Sequence, residues 1–227
     1  MQLPIGSLVN AGAIVAGGLI GILLNRHFPE RIRSIVFQAL GLCVLIIGIG
    51  MSLKAESILP VTLSLILGGI IGEAVRIDRG IERLADRAKS FFKSSNPLFS
   101  QGFITTSLIY CIGAMAIVGS LTEGLTGERD ILYTKAILDG FSAIVFAATY
   151  GFGVLLSAIP VFIYQAAITI FASSSQAFFT DSMTAQLTST GGILILGIGI
   201  NILNIRQIDI ANLLPSLVII AVLSYLF

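Results

Sequence analysis

Charge is scarce in this chain. Only 11% of its 227 residues are Asp, Glu, Lys or Arg, about half the share usual in a soluble domain, whereas 56% are hydrophobic. That is more apolar surface than one globular core can hide, so the composition excludes an ordinary soluble domain and leaves a polytopic membrane protein. Net charge is +1, and no region joins a dense basic face to exposed stacking aromatics, which excludes nucleic-acid binding. The single histidine, His27, sits in a charged loop without a second ligand nearby. The two cysteines, Cys43 and Cys111, fall in apolar runs and are not spaced like a metal clip. No metal site and no cofactor are expected, and both cysteines read as small buried hydrophobes. The first apolar run lacks a basic segment before it and a small-residue cleavage site after it, so it is expected to remain as a span rather than direct secretion.

Long apolar runs take the place of charge. A helix needs about 20 apolar residues to cross a bilayer core, and runs near that length lie at 5 to 24, 35 to 53, 57 to 75, 101 to 121, 132 to 149, 152 to 171, 187 to 204 and 210 to 227. The expected fold is an all-α bundle of about eight transmembrane helices forming one membrane domain. Only Tyr150 to Gly153 separates spans five and six, so two full spans or a broken, re-entrant pair both fit.

Basic residues concentrate in cytoplasmic loops. Arg26, Arg31 and Arg33 follow span one, Arg76, Arg79, Arg83, Arg87, Lys89 and Lys93 follow span three, and Arg206 follows span seven. Lys54, Arg129 and Lys135 occupy the alternate loops. The expectation is a cytoplasmic face on the first set and both termini outside. Residues 76–99 place Ile77, Ile81, Leu84 and Ala88 at helical spacing beside Arg79, Arg83 and Arg87. This predicts an amphipathic cytoplasmic linker helix, whose arginines could grip anionic lipid or pair with Asp78, Glu82 and Asp86.

Residues 8–25 align without a gap on residues 187–204, matching Leu8, Gly12, Ile14, Gly18, Leu24 and Asn25. Either an internal repeat or the general likeness of glycine-rich membrane helices explains this. Gly17 with Gly21 and Gly68 with Gly72 form GxxxG pairs, which let helix backbones approach closely. A homo-oligomer is compatible with such faces.

One carboxylate stands inside an apolar run. Asp139 falls roughly seven residues into span five, about 10 Å along an axis rising 1.5 Å per residue through a core about 30 Å thick. An ionisable group there costs at least about 2.5 kcal/mol on insertion scales, so it should face a partner or a wet cavity. Lys135, at i−4, can supply a structural ion pair. At the expected depth of Asp139 lie Asn10 of span one, Gln165 of span six, and Ser189 and Thr190 of span seven, while Ser120 and Glu123 mark the outer end of span four. They could converge on an outward vestibule, with Asp139, Asn10, Gln165, Ser120 and Glu123 as candidate solute- or ion-binding residues. The joint "ATYGFG" and Pro160 make spans five and six the expected bent helices. A second polar set, Asn25, Glu73, Asn201 and Asn204, lies near the inner ends, where interfacial water already solvates such groups. No phosphate loop, Ser-His-Asp set, HExxH or Cys-His arrangement is readable.

The segments "GAMAIVGSLTEGL", "KAILDGFSAIVFAATYGFGVLLSAIPVFIYQ" and "GSLVNAGAIVAGGLIG" resemble domain-of-unknown-function family 554, the YqgA-like bacterial integral membrane proteins. The resemblance covers nearly the whole chain. It implies a multi-pass protein of the bacterial cytoplasmic (inner) membrane, often described as a transporter candidate, and brings no established site residues. Three readings follow from the residues. The leading one is a transporter or channel-like protein, not an enzyme, that handles a small solute or a cation. Its rival is a scaffold or assembly factor binding partner helices or lipids. A weaker third is a lipid-modifying enzyme pairing Asp139 with Glu123.

Overall fold

The computed structural model of the chain describes residues 2–24, 30–80, 83, 97–112 and 114–226. Eleven α-helices occupy them: α1 Ile5–Leu24, α2 Glu30–Ser52, α3 Ile58–Val75, α4 Pro97–Ile112, α5 Ala114–Thr126, α6 Asp130–Tyr150, α7 Gly153–Leu156, α8 Ala158–Ser174, α9 Asp181–Ile202, α10 Ile210–Leu213 and α11 Pro215–Leu226. Among the described residues there is no strand. Of the helix expected over 76–99, residues 77–80 are helical and most of the remainder lies outside the described residues.

Among the described residues, six segments are long and apolar enough to cross a membrane: Ile5–Leu24, Ser34–Ser52, Ile58–Val75, Asp130–Tyr150, Gly153–Ser174 and Asp181–Ile202. Gly102–Cys111 and Met115–Thr126 together make a seventh, bent by 54°. The eighth expected span is a shorter apolar stretch, Ile210–Ser224, broken after Leu213 where Pro215 begins α11.

The sharp bend is therefore not in spans five and six, as expected, but in span four. Those two spans are both full length, and the residues between them make a tight reversal. Gly151 sits at φ 74, a left-handed conformation that glycine adopts without a Cβ penalty. A Cβ on Gly153 would lie 2.1 Å from the Phe99 carbonyl oxygen, so α4 presses directly on the turn. Pro160 has no N–H to offer the carbonyl four residues back and its ring clashes there. The chain accordingly breaks at Ser157, whose Oγ bonds the Val154 carbonyl at 2.6 Å, and α8 restarts with Pro160 in its first turn.

The exterior is apolar, and polar side chains sit among the hydrophobic ones of the core. Leu19, Leu23, Ile46 and Ile70 are exposed, whereas Ser64, Thr106, Ser120, Glu123, Gln165 and Thr169 are fully buried. Lipid tails are as apolar as leucine, so apolar side chains gain little by turning inward, and polar groups must find partners in the interior.

Glycine lets the interior helices touch backbone to backbone. Along α1, a Cβ on Gly17 would stand 2.1 Å from Gly140 O and one on Gly21 would stand 2.2 Å from Ile144 O. Four residues along α1 match four along α6, so the two helices run parallel. Gly68 and Gly72 of α3 meet Ser216 N and Asn212 O at 2.5 and 1.9 Å, an antiparallel contact. Gly192 of α9 meets Ser52 N, and Gly199 meets Leu45, so α9 crosses α2 antiparallel as well. Of the glycines that the repeat alignment pairs, Gly12 meets nothing within 4 Å while Gly191 meets Val118, and Gly18 meets Leu155 while Gly197 meets Ile210.

These contacts give the bundle two faces. Gln2, Ser57, Gly127 and the 175–181 connection lie at one end, here called the terminal face. Arg76, Gly151 and the 203–209 turn lie at the opposite face. At that opposite face Asn201 exchanges two bonds with the Ile208 backbone, 2.8 and 2.9 Å, and closes the turn. Asn204 there takes a positive φ of 55, and Glu73 accepts from Asn212 at 2.9 Å. These groups hold loops, and Asn25 lies outside the described residues.

Candidate functional site

Lys135 and Asp139 stand one turn apart on α6, and their i,i+4 spacing puts both on one face, where Lys135 Nζ donates to Asp139 Oδ2. Both are buried, at 4% and 7% exposure. The same oxygen accepts from Asn10 Nδ2 at 3.0 Å, and that nitrogen also reaches Gln165 Oε1 at 3.2 Å. Three helices expected to share a depth, α1, α6 and α8, thus meet through Asn10, Asp139 and Gln165. Two further groups border the pair. Lys135 Nζ lies 5.7 Å from the Tyr110 ring centroid, within cation–π range. Ser142 Oγ is 3.1 Å from the Tyr110 hydroxyl and 2.9 Å from the Asp139 carbonyl oxygen.

A cavity of about 350 Å³ reaches this cluster. Lys135, Asp139, Ser142 and Tyr110 supply its polar wall, and Leu138, Met115, Phe146, Phe37 and Ile202 are among its apolar ones. Ile109, half-exposed, lies where it meets the surface. From Asp139 it follows α6 toward Val145 and Phe146 and reaches Ile202, the last residue of α9. It therefore extends toward the opposite face, not toward the terminal face as the vestibule expectation had it. Neither Asn10 nor Gln165 lines it; they stand behind Asp139, on its closed side. A second cavity, about 400 Å³, opens at the terminal face between Met51, Thr122 and Ile131. Lys54, paired with Glu128 at 2.6 Å, lines it together with Asp130.

Glu123 belongs to a different arrangement. Fully buried, it accepts from Gly6 N at 2.7 Å and Arg129 Nε at 3.0 Å through Oε1, and from Thr169 Oγ1 at 3.2 Å through Oε2. Gly6 is the second residue of α1, so Glu123 neutralises a helix N-terminus whose backbone donors have no partner in their own helix. It is a clip between α5, α1 and α8.

Ser120, one turn before Glu123, is fully buried, and among the described residues its hydroxyl finds no hydrogen-bond partner; neither do Ser7 Oγ, Asn10 Oδ1 or Gln165 Nε2. Ser189 instead bonds the Ser52 carbonyl at 2.7 Å and so ties α9 to the end of α2, while Thr190 bonds the Gln186 carbonyl of its own helix at 3.0 Å. Sequence reasoning missed Ser7, Ser142 and Thr169. Each lies three or four residues from a group it did find, Asn10, Asp139 and Gln165, and so on the same helix face. Tyr110 carried no such signal. Among the described residues, no three His, Cys, Asp or Glu side chains are grouped to hold a metal ion.

The apolar exterior, the all-helical architecture and the number of spanning helices define a polytopic α-helical membrane protein. More particularly, the family described as "Protein of unknown function (DUF554)" matches residues 5–225, and the chain belongs to it. Among its relatives is the protein named "Uncharacterized protein YqgA" of Escherichia coli (strain K12), 33% identical over 97% of this chain and 96% of that one. Another is "Uncharacterized membrane protein YdfK" of Bacillus subtilis (strain 168), 32% identical over 94% and 93%. No solved structure matches the chain.

Proposed function

We propose that the protein is a transporter or channel-like conductor of a small solute or cation in the bacterial cytoplasmic membrane, with its terminal face outward. One observation carries the reading: a buried Lys135–Asp139 pair lies at the closed end of a cavity of about 350 Å³ and is hydrogen-bonded onward to Asn10 and through it to Gln165. Ionisable groups inside a membrane span are costly and mark solute or proton routes. The cavity also falls within the ordinary size range of small-molecule sites. The orientation is supported by the sequence, which puts ten of the thirteen basic residues between spans one and two, three and four, and seven and eight, and the bacterial relatives support the membrane assigned.

The helix-docking part of the scaffold reading loses support, because the four glycines that would dock a partner helix are occupied inside the chain, while its lipid-binding part rests on residues 76–99, most of which lie outside the described residues. Gly17 and Gly21 meet α6, and Gly68 and Gly72 meet α10 and α11. The enzyme reading needed Glu123 beside Asp139, and Glu123 is engaged by Gly6, Arg129 and Thr169.

Reversible blocking of the cavity tests the proposal within one folded sample. In a background of Cys43→Ser and Cys111→Ser, Ser142→Cys places a thiol on the cavity wall. Flux of a panel of small cations and nonelectrolytes into proteoliposomes should fall on reaction with a methanethiosulfonate and return on reduction. Unchanged flux after complete labelling would remove the cavity from the route. A parent protein that moves no member of the panel would defeat the transport reading.

A further inference from the structure

Beyond Asp139 the polar groups do not stop; they continue toward the terminal face. Two helix registers show how. Gln2 N donates to Ser173 Oγ at 2.6 Å and Asn10 Nδ2 to Gln165 at 3.2 Å, so α1 and α8 run antiparallel, eight residues of one matching eight of the other. That register sets Ser7 near the level of Thr169. Glu123 meets Thr169, and a Cβ on Gly124 would meet Ala172, so α5 and α8 run parallel. One turn below Glu123, Ser120 therefore stands near the level of Gln165. Within about one helical pitch of 5.4 Å, α1, α5 and α8 thus present Ser7 Oγ, Asn10 Oδ1, Ser120 Oγ and Gln165 Nε2. All four atoms are buried and find no hydrogen-bond partner among the described residues. Above them is the Glu123–Arg129 clip, with Arg129 partly exposed at the terminal face; below them is Asp139, with the cavity on its far side.

The chemistry of these four atoms selects a class of ligand. Asn10 Oδ1 only accepts, Gln165 Nε2 only donates, and a serine hydroxyl does either. A cation would want oxygen acceptors around it, and the amide nitrogen of Gln165 would oppose it. An anion would meet one donor amide and an adjacent carboxylate. Nor does either embedded carboxylate remain free to attract a cation, since Lys135 neutralises Asp139 and Arg129 neutralises Glu123. The set matches a small neutral molecule that both donates and accepts.

We infer that the interior column of Ser7, Asn10, Ser120 and Gln165 is a binding station for a small uncharged hydrogen-bonding solute, of the amide or polyol class with water as its smallest member. This rests on the transport reading and narrows it. The solute exchanges its hydration for these four atoms, and the flanking ion pairs supply local neutrality that admits a dipole and rejects a charge. An unpartnered hydroxyl in an apolar bundle carries its full desolvation penalty. Bonding a passing solute gives Ser7 and Ser120 the partner that the fold withholds.

Proteoliposomes containing the intact chain should show stopped-flow permeation of acetamide and glycerol above protein-free vesicles, with no added leak of sodium, potassium or protons. Ser7→Ala and Ser120→Ala remove hydroxyls that bond nothing in the fold, so their melting temperatures in detergent should match or exceed the parent. Permeation should nevertheless fall up to about tenfold for each, the effect of one hydrogen bond lost in transit. If cations cross and acetamide and glycerol do not, the inference is overturned while the transport reading stands. If the neutral solutes cross at the parent rate in both alanine variants, transport again stands and the column is not the route. If nothing crosses, the transport reading fails and the inference falls with it.

Discussion

Adding a single methyl group at Gly17 should separate α1 from α6, and Gly12, five residues earlier on the same helix, provides the control. The Cβ of Gly17→Ala would begin 2.1 Å from the Gly140 carbonyl oxygen, whereas real Cβ atoms essentially never approach another heavy atom within 3.0 Å. The obstacle is backbone on both sides, so no side chain can swing away. The helices must part by about 0.9 Å, which is the difference between those distances. Moving α1 as a rigid rod by that much would stretch the 3.0 Å bond from Asn10 to Asp139 to about 3.9 Å, past hydrogen-bonding distance. Overpacking of this kind costs about 1–3 kcal/mol. At Gly12 nothing lies within 4 Å of an added Cβ, so Gly12→Ala should be neutral or stabilise by up to about 1 kcal/mol, the helix preference of alanine over glycine. Titration of the folded protein in mixed micelles with a denaturing detergent, followed by circular dichroism, compares the two. Coincident midpoints for Gly17→Ala and Gly12→Ala would refute the close approach, and with it the argument that α1 is held against α6 by backbone contact.

Three further outcomes are expected. Asp139→Asn leaves Lys135 as a buried, unpaired cation and should cost about 3–5 kcal/mol, while Asp139→Asn with Lys135→Met should recover much of that loss; strictly additive effects on the same titration would mean that the two side chains do not interact. Glu123→Gln weakens the acceptor shared by Gly6 N and Arg129, so the Gly6 amide should lose protection in hydrogen exchange by about ten- to a hundredfold, equivalent to about 1.4–3 kcal/mol; unchanged protection would remove Glu123 from its capping role. In a background without Cys43 and Cys111, an impermeant thiol reagent added outside intact cells should label Asp181→Cys at the terminal face and spare Gln207→Cys at the opposite face. The reverse pattern would invert the orientation.

Spans bounded by charge or sharp turn chemistry were legible, because the signal that ends them is local. The runs read at 57 to 75 and 132 to 149 are observed at Ile58–Val75 and Asp130–Tyr150. The bend in span four was not legible, since 101 to 121 reads as one unbroken apolar run. On its two sides α4 packs on the 150–153 turn and α5 on α8, contacts between segments far apart in sequence. The candidate site divides the same way. Depth follows from sequence position at a fixed rise per residue, so Asn10, Asp139 and Gln165 could be placed at one level before any contact was known. The direction a side chain faces depends on how the helix is rotated against its neighbours. Glu123 lies near the same end of the bundle yet turns to the α1 N-terminus, and Ser189 turns to α2.

The buried carboxylate and the glycine seam depend on one another. Asp139 is one residue before Gly140, the position where α1 and α6 touch, and Asn10 lies two turns from Gly17, on the other side of that contact. Because the backbones meet there, the short Asn10 side chain can reach Asp139 Oδ2 and still bond Gln165 on α8. A wider crossing would strand an amide and a carboxylate in the apolar interior, with Lys135 alone to hold the charge. A closer contact than glycine permits does not exist. The seam therefore fixes the partners of Asp139. Widening that seam should disturb the polar column before it unfolds the bundle, since the hydrogen bonds fail within the 0.9 Å that the helices must yield, while the apolar contacts around Val154 and Val161 decline gradually with distance.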